Sequence, residues 1–259
     1  MTTSIPRQSI RVLSSRARSS LRPSSLSSSR RTFSSSPSCA GEKDNEYADK
    51  PRWSYTPPGT KAPFSLRQID NQRQPYRVNE DPAVLDNFYI SLLGPNGDKK
   101  LSEEIKWLAV THKSFDQGRR GFNDRLALLG KRIVQLQASL LLVQNPGNYK
   151  TQVPSLSVED QHKTFKHAAL EGLENLTLDN RGWFTHKVNI SRVAEKYGLL
   201  KVLRWAPVKP NDLEHSGLNV VLTHTMYAIV GAIALERGGV EANEFARQRI
   251  LAPQGLGSN

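Results

Sequence analysis

Cysteine is almost absent from this chain of 259 residues, since Cys39 is the single one. One thiol excludes an intramolecular disulfide framework and a zinc site built on cysteines. Long apolar runs are also missing, because no stretch approaches the roughly 18–20 apolar residues of a membrane-spanning helix. We therefore expect no membrane span, and a chain of this length can bury a substantial hydrophobic core.

Acidic residues and lysine are both absent from residues 1–40, which hold seven arginines and fifteen serines. This composition is typical of a mitochondrial import presequence, with processing after Phe33 or near Ala40. The alternative is a disordered basic tail that binds nucleic acid, although such tails normally use lysine as well. We expect residues 1–40 to be a targeting presequence and the protein to work in the mitochondrial matrix.

The positive charge of the chain is concentrated in this presequence. The whole chain has a formal net charge of +12, whereas residues 41–259 carry 29 basic and 24 acidic residues. That balance permits RNA contact through local patches but does not establish it. The RNA-binding residues remain unknown from the sequence. Four basic residues flank the helices described below and are candidates for RNA contact or simply solvated surface: Arg119, Arg120, Arg132 and Lys150.

Residues 41–79 contain five prolines, scattered aromatic residues and no helical period. Because proline removes backbone donors and blocks helix formation, this segment cannot build a packed core of its own. It is either a flexible linker or an arm that becomes ordered on a partner, where aromatic and arginine side chains can stack on bases. The residues alone leave both alternatives open.

From residue 80 onward, the pattern is helical and predicts an all-α domain over residues 80–251, followed by a flexible tail over 252–259. Helices are predicted at 81–93, 102–113, 123–144, 157–176, near 193–205, at 218–237 and at 241–251. The helix at 123–144 has apolar residues at alternating spacings of three and four, which predicts a stripe facing the core. Its members are Leu126, Leu129, Ile133, Leu136, Leu140 and Val143.

Two of these helices carry a family resemblance. Residues 107–114 read WLAVTHKS and residues 123–131 read NDRLALLGK, which resembles the ribonuclease III signature NERLEFLGD after a Thr-His-x-Ser turn. Residues 222–233 read LTHTMYAIVGAI and resemble the second motif of the family, LADTFEALIGAI. Both motifs occur in the right order, and the resemblance extends over about residues 80–251. It implies the helical ribonuclease III fold.

In active members of that family, carboxylates from both motif helices hold divalent metal ions, which favour oxygen ligands and generate the attacking hydroxide. Here the acids of the first motif fall on Ala127 and Lys131, and those of the second fall on His224 and Tyr227. Asp124 matches an auxiliary glutamate and keeps a carboxylate. The resemblance therefore implies no catalytic residues, no metal site, no cofactor and no enzymatic activity.

Several roles are open to the residues that replace the acids. At about 100° per residue, Asp124, Ala127 and Lys131 are expected on one helix face, away from the apolar stripe. Lys131 is predicted to neutralise a remaining acid or, alternatively, to contact phosphate. A zinc site at His224 would need further ligands that the sequence does not supply. An acid–base pair formed by His224 and Tyr227 would likewise need a further catalytic group. His112 is expected to act in a turn.

Leu128 matches the phenylalanine that, in the family, inserts into the partner domain, so the resemblance implies that Leu128 is a dimer contact. Together with the import presequence, the resemblance to a ribonuclease III-like chain without catalytic acids implies a structural constituent of the mitochondrial large ribosomal subunit. The expected partners are mitochondrial rRNA, other proteins of that subunit, and a second ribonuclease III-like protein as heterodimer partner. The alternative is a non-catalytic subunit of an RNA-processing complex or a ribosome assembly factor.

Overall fold

The computed structural model describes residues 50–57, 76–144 and 167–257. Helices dominate these residues, and no strand is found among them apart from one isolated bridge between Thr111 and Arg204. The prediction of an all-α domain is confirmed. The α-helices are α1 Pro82–Leu93, α2 Glu103–Val110, α3 Asp124–Gln144, α4 Leu178–Phe184, α5 Lys187–Lys196, α6 Leu218–Glu236 and α7 Gly239–Phe245.

The first two helices begin where the sequence indicates. Asp81 caps α1, since its Oδ1 accepts from the backbone N–H of Ala83 at 2.9 Å, and Pro82 occupies the first turn. Ser102 precedes α2 but does not cap it, because its hydroxyl donates to Glu236 on α6. Helix α2 ends at Val110, three residues before the predicted end, because Thr111 turns into an extended conformation and bridges to Arg204.

Helices α3 and α6 form the centre of the domain and approach each other through glycines. A Cβ at Gly130 would lie 1.8 Å from the carbonyl oxygen of Tyr227, and one at Gly231 would lie 2.1 Å from that of Leu126. Real Cβ atoms do not come this close to backbone, so both positions require glycine. The predicted bounds of these two helices agree with the structure to within one residue.

The prediction that the leucine stripe of α3 faces the core is wrong for three of its six members. Leu126 is buried, whereas Leu129, Leu136 and Leu140 are 37%, 56% and 39% exposed. The side of α3 that faces the core includes small residues, because close contact with α6 at Gly130 leaves no room for a larger side chain there. Its buried residues are Leu126, Ala127, Gly130, Val134, Gln137, Ala138, Leu141 and Leu142.

Two other helix predictions need correction. Of the predicted helix at 157–176, the described part from residue 167 forms two short 3-10 turns, Ala168–Leu170 and Leu173–Asn175, and the rest lies outside the described residues. The sequence analysis missed α4, which Thr177 caps through its side chain. The predicted helix at 241–251 begins at Gly239 and continues beyond α7 as a π-helical segment, Ala246–Leu251.

The described parts of the proline-rich segment pack on the helical domain. The ring of Trp53 stacks on that of Trp107, with centroids 4.4 Å apart and an interplanar angle of 16°. Tyr76 makes an edge contact with Trp205 at 6.1 Å. Residues 50–57 therefore lie against α2 and the bridge that follows it.

Helices α3 and α6 are long and apolar enough to cross a membrane by length and composition alone. The expectation that no stretch reaches such a length was therefore too strict. However, 72% of the apolar window of α6 is buried inside the domain, and 44% of that of α3. Since the core helix of a soluble protein passes the same test, the two helices do not indicate a membrane span.

Candidate functional site

The two motif helices meet at Asn123, which is fully buried. Its Nδ2 donates to the carbonyl oxygen of Ala109 at 2.9 Å and lies 3.4 Å from Oγ1 of Thr225 on α6. Its backbone N–H donates to the carbonyl oxygen of Thr111. One side chain thus fixes the end of α2, the beginning of α3 and the middle of α6 relative to one another.

Asp124, the first residue of α3, lies beside this junction with both carboxylate oxygens engaged. Oδ1 is 2.9 Å from Nε2 of His224, and Oδ2 is 3.4 Å from Nζ of Lys113. The structure therefore brings together two of the predicted positions, Asp124 and His224. Lys113 is a residue that the sequence analysis did not assign to the site, although it directly follows His112 in the Thr-His-x-Ser turn.

His112 completes this cluster. Its ring meets that of His224 edge to face, with centroids 5.8 Å apart, and its Nδ1 lies 2.9 Å from Oγ of Ser114. Ser114 Oγ in turn accepts from the backbone N–H of Ala206. Burial and, to a smaller extent, the neighbouring His224 lower the pKa of His112 to about 4, while Asp124 opposes the shift. At neutral pH the imidazole is uncharged and acts as the turn element that the sequence predicted.

Ala127 and Tyr227 do not face a site, contrary to the expected sharing of a helix face. Both are buried in the contact between α3 and α6, and the hydroxyl of Tyr227 donates to the carbonyl oxygen of Thr185 at 3.2 Å. Burial raises the pKa of this phenol, so it stays protonated. Tyr227 is placed to support the fold rather than to transfer a proton.

Lys131 is exposed and makes no ion pair with any described residue. The remaining acid, Asp124, is paired with Lys113 instead. Of the other basic candidates, Arg119 and Arg120 both pair with Asp116, and Arg132 donates to Gln135. Lys150 lies outside the described residues.

The junction does not fit a divalent metal ion. Magnesium needs several oxygen ligands in near-octahedral geometry, and the cluster supplies one carboxylate with an ammonium and an imidazole already beside it. Within the described ranges, no three His, Cys, Asp or Glu side chains are grouped so that they could hold a metal ion. The arrangement can hold α2, α3 and α6 together by charge and hydrogen bonds.

A second candidate surface lies on the outer side of α3. We define the α3 apolar face as Leu128, Leu129, Leu136 and Leu140, of which Leu128 is 62% exposed. The 3-10 turn that begins at Leu173 extends it, because Gly172 lies against the carbonyl group of Val143 near the end of α3 and Leu173 is 42% exposed. Contiguous exposed apolar residues are typical of protein–protein contacts.

Comparisons with known proteins agree with the sequence motifs. A family model described as ribonuclease-III-like matches residues 102–254. The large ribosomal subunit protein mL57 of Neurospora crassa is 45% identical over 206 residues, covering 78% of this chain and 75% of that protein. The protein of the same name from Schizosaccharomyces pombe is 24% identical over 182 residues, covering 68% and 73%.

Among solved structures, the nuclease domain of ribonuclease III from Campylobacter jejuni matches with a TM-score of 0.45 and 19% sequence identity. The match covers 67% of this chain and 97% of that domain.

Proposed function

The chain belongs to the ribonuclease-III-like family, and we propose that it is a non-catalytic structural constituent of the mitochondrial large ribosomal subunit. The observation that carries the proposal is the 45% identity, over most of both chains, to a protein named as a large ribosomal subunit protein. In this role the chain binds mitochondrial rRNA and neighbouring proteins of the subunit. Residues 1–40, with their arginines and serines and no acids, serve as the import presequence.

The lack of catalysis rests on the chemistry of the motif junction. Metal-dependent RNA cleavage needs several carboxylates around the ions. Here Ala127 and Tyr227 are buried in the helix contact, and Asp124 is held between Lys113 and His224. A cation entering this cluster would meet an ammonium group rather than a set of oxygen ligands. We therefore assign the junction a structural role.

The α3 apolar face supports pairing with a second ribonuclease III-like protein. Leu128, the position predicted to contact the partner, is exposed together with Leu129, Leu136 and Leu140 on the same helix. Large aliphatic side chains that a stable domain leaves in solvent are stabilised when a partner covers them. A different chain of the same family, rather than a second copy, is the partner that we propose.

Sedimentation of mitochondrial extracts at moderate salt tests the ribosomal assignment. We expect the epitope-tagged chain in the mature large-subunit peak, at a stoichiometry near that of established subunit proteins. Presence only in lighter precursor fractions would support an assembly factor instead. Presence only with a free nuclease would support a subunit of an RNA-processing complex, and either result would overturn the proposal.

The absence of nuclease activity is tested separately. Purified protein is incubated with double-stranded RNA and Mg²⁺ or Mn²⁺, with a bacterial ribonuclease III as the active control. We expect no cleavage above the background without metal. Cleavage that is lost in Asp124→Ala but retained in Lys131→Ala would show that a carboxylate site persists.

A further inference from the structure

A cavity of about 240 Å³ lies between residues 50–57 and the helical domain, beside Thr111 at the end of α2. Three arginines line it, namely Arg52, Arg120 and Arg204. The rest of the lining is largely apolar and includes Trp53 and two residues of α2, Ile105 and Leu108. We call this space the arm cavity.

Arg204 is the most unusual of these residues because it is a cation with only 3% of its surface exposed. Its guanidinium lies over the rings of Trp107 and Phe115, at 5.1 Å and 4.5 Å from their centroids. These contacts compensate a buried cation only partly. Within the described residues, its side chain makes one hydrogen bond, to the carbonyl oxygen of Trp53 at 3.4 Å, and its Nε has no acceptor.

The charge around Arg204 is not balanced by acids. It makes no ion pair within the described part of the chain, and burial and the nearby Arg120 lower its pKa to about 10, while Glu80 and Asp116 oppose that shift. Burying a charge without a partner is costly.

Glu80 and Asp116 act on Arg204 electrostatically, but neither forms an ion pair with it in the described part of the chain. Asp116 is shared between Arg120 and a further arginine, Arg119. Arg52 is exposed and Glu104, also exposed, is the one acid in the lining. The cavity therefore carries an excess of positive charge that an anion would satisfy.

The apolar part of the lining suits a flat ring. Trp53 is fixed on one side by its stacking on Trp107, and its carbonyl oxygen is held by Nη1 of Arg120 at 3.2 Å as well as by Arg204. An aromatic wall with guanidinium groups beside it is the combination that binds bases and phosphates of nucleic acids. Guanidinium groups match phosphate because they donate two parallel hydrogen bonds.

We propose that the arm cavity binds one nucleotide unit, with its phosphate against the three arginines and its base against Trp53, Ile105 and Leu108. The size supports a single unit, because 240 Å³ is below the roughly 300–1,000 Å³ of pockets that hold drug-sized ligands. A free nucleotide and a nucleotide of an RNA strand offer the same chemistry. The inference concerns a surface separate from the α3 apolar face and does not depend on the ribosomal assignment.

Binding to the full-length purified chain tests the proposal, with tryptophan fluorescence and calorimetry as readouts. The probes are inorganic phosphate, AMP, GMP and a single-stranded RNA oligonucleotide. The test variant is Arg52→Glu, an exposed position that should leave the fold intact, and its matched control is Arg192→Glu, an exposed arginine on α5. We expect at least a tenfold weaker affinity for a mononucleotide or for the oligonucleotide in Arg52→Glu relative to the control.

Competition identifies the source of the ligand. If the oligonucleotide displaces a bound mononucleotide, the site takes RNA; if it does not, the site takes a free nucleotide, and both results support the proposal. Equal affinities of Arg52→Glu and Arg192→Glu for every probe would overturn it. Arg204→Gln, checked for folding by circular dichroism, is a second variant with the same expected loss. These measurements use isolated protein, so they can disprove nucleotide binding while the chain still sediments with the large subunit. Equally, the chain can bind a nucleotide and be absent from the large subunit.

Discussion

The two sides of α3 differ in what they contact and in the size of their side chains. The inner side carries small residues such as Ala127, Gly130 and Ala138, and at Gly130 the backbone of α3 almost touches that of α6. The outer side presents Leu136 and Leu140, among other leucines, to solvent. Both sides are apolar, so hydrophobicity alone does not tell them apart. The inner side stabilises the domain, whereas the outer side is available for assembly.

The largest expected effect comes from adding a side chain on the inner side of α3, where it contacts α6. Gly130→Ala would place a Cβ 1.8 Å from the carbonyl oxygen of Tyr227, so α3 and α6 must separate. We expect the free energy of unfolding to fall by about 3 kcal/mol, at the upper end of overpacking costs. Urea denaturation of the purified chain measures it.

Gly182 on α4 provides the matched control, because a Cβ there meets nothing within 4 Å. Gly182→Ala should raise the stability by about 0.5–1 kcal/mol through helix propensity. Similar values for the two variants would contradict the close approach of α3 and α6.

A substitution on the outer side of α3 should reduce assembly and leave the stability of the isolated chain almost unchanged. Leu136→Asp replaces a half-exposed side chain, and we expect the unfolding free energy of the isolated chain to change by about 1 kcal/mol or less. Incorporation into the large subunit should fall at least tenfold, since an unpaired carboxylate would be buried by the partner. Quantitative mass spectrometry of purified subunits measures incorporation.

Leu235→Asp is the control for this experiment, because Leu235 is 67% exposed on a different helix, α6. It should be incorporated normally. Normal incorporation of Leu136→Asp would mean that the α3 apolar face remains in solvent, and the assignment of a partner to it would be wrong.

The same contrast shows how far the sequence could predict the fold. Helix bounds followed from caps and breakers such as Asp81 and Pro82, which act locally. The choice of the buried side of α3 did not follow, because the period of 3.6 residues identifies an apolar stripe but not the surface that covers it. Gly130 and Gly231 were the relevant signal, since small residues mark the places where helices approach most closely.

The candidate site was predicted in part for a similar reason. The motif resemblance placed Asp124 and His224 at corresponding positions, and they lie in contact. It could not predict that Lys113, rather than Lys131, neutralises the carboxylate, because that depends on the path of the turn between α2 and α3. The arm cavity depends on contacts between residues far apart in the chain, such as Trp53 and Arg204, which no local pattern indicates.

A fall in pH should destabilise the chain through His112, in the turn that follows α2, without any mutation. The pKa of His112 is about 4 in the folded chain and near 6.5 when unfolded, so the unfolded chain binds a proton more readily. Stability contributed by this group is present above pH 6.5 and is lost as the pH falls toward 4. After allowance for screening by solvent, we expect a loss on the order of 1–2 kcal/mol.

Urea denaturation as a function of pH measures this loss, and His112→Gln should reduce the slope between pH 4 and pH 6.5. His224, Asp124 and Lys113 face the ring and contribute to the same profile, so the comparison is made on the difference between variant and parent. An unchanged slope in His112→Gln would show that folding does not lower the pKa of His112, which would contradict its burial.

The smallest expected effect concerns Tyr227, which occupies a position of a family acid but lies on the inner side of the contact. Tyr227→Phe removes the hydrogen bond to the carbonyl oxygen of Thr185 and leaves the ring in place. We expect the free energy of unfolding to fall by about 0.5–1 kcal/mol, the usual contribution of one hydrogen bond.

Tyr197→Phe is the control, because Tyr197 is half-buried against the same core and its hydroxyl has no hydrogen bond to a described residue. Thermal or urea unfolding measures the stability of both variants, and RNA binding is measured beside it. If Tyr227 supports the fold, its substitution changes the stability alone. Altered RNA binding with unchanged stability would place the hydroxyl of Tyr227 in a functional site instead.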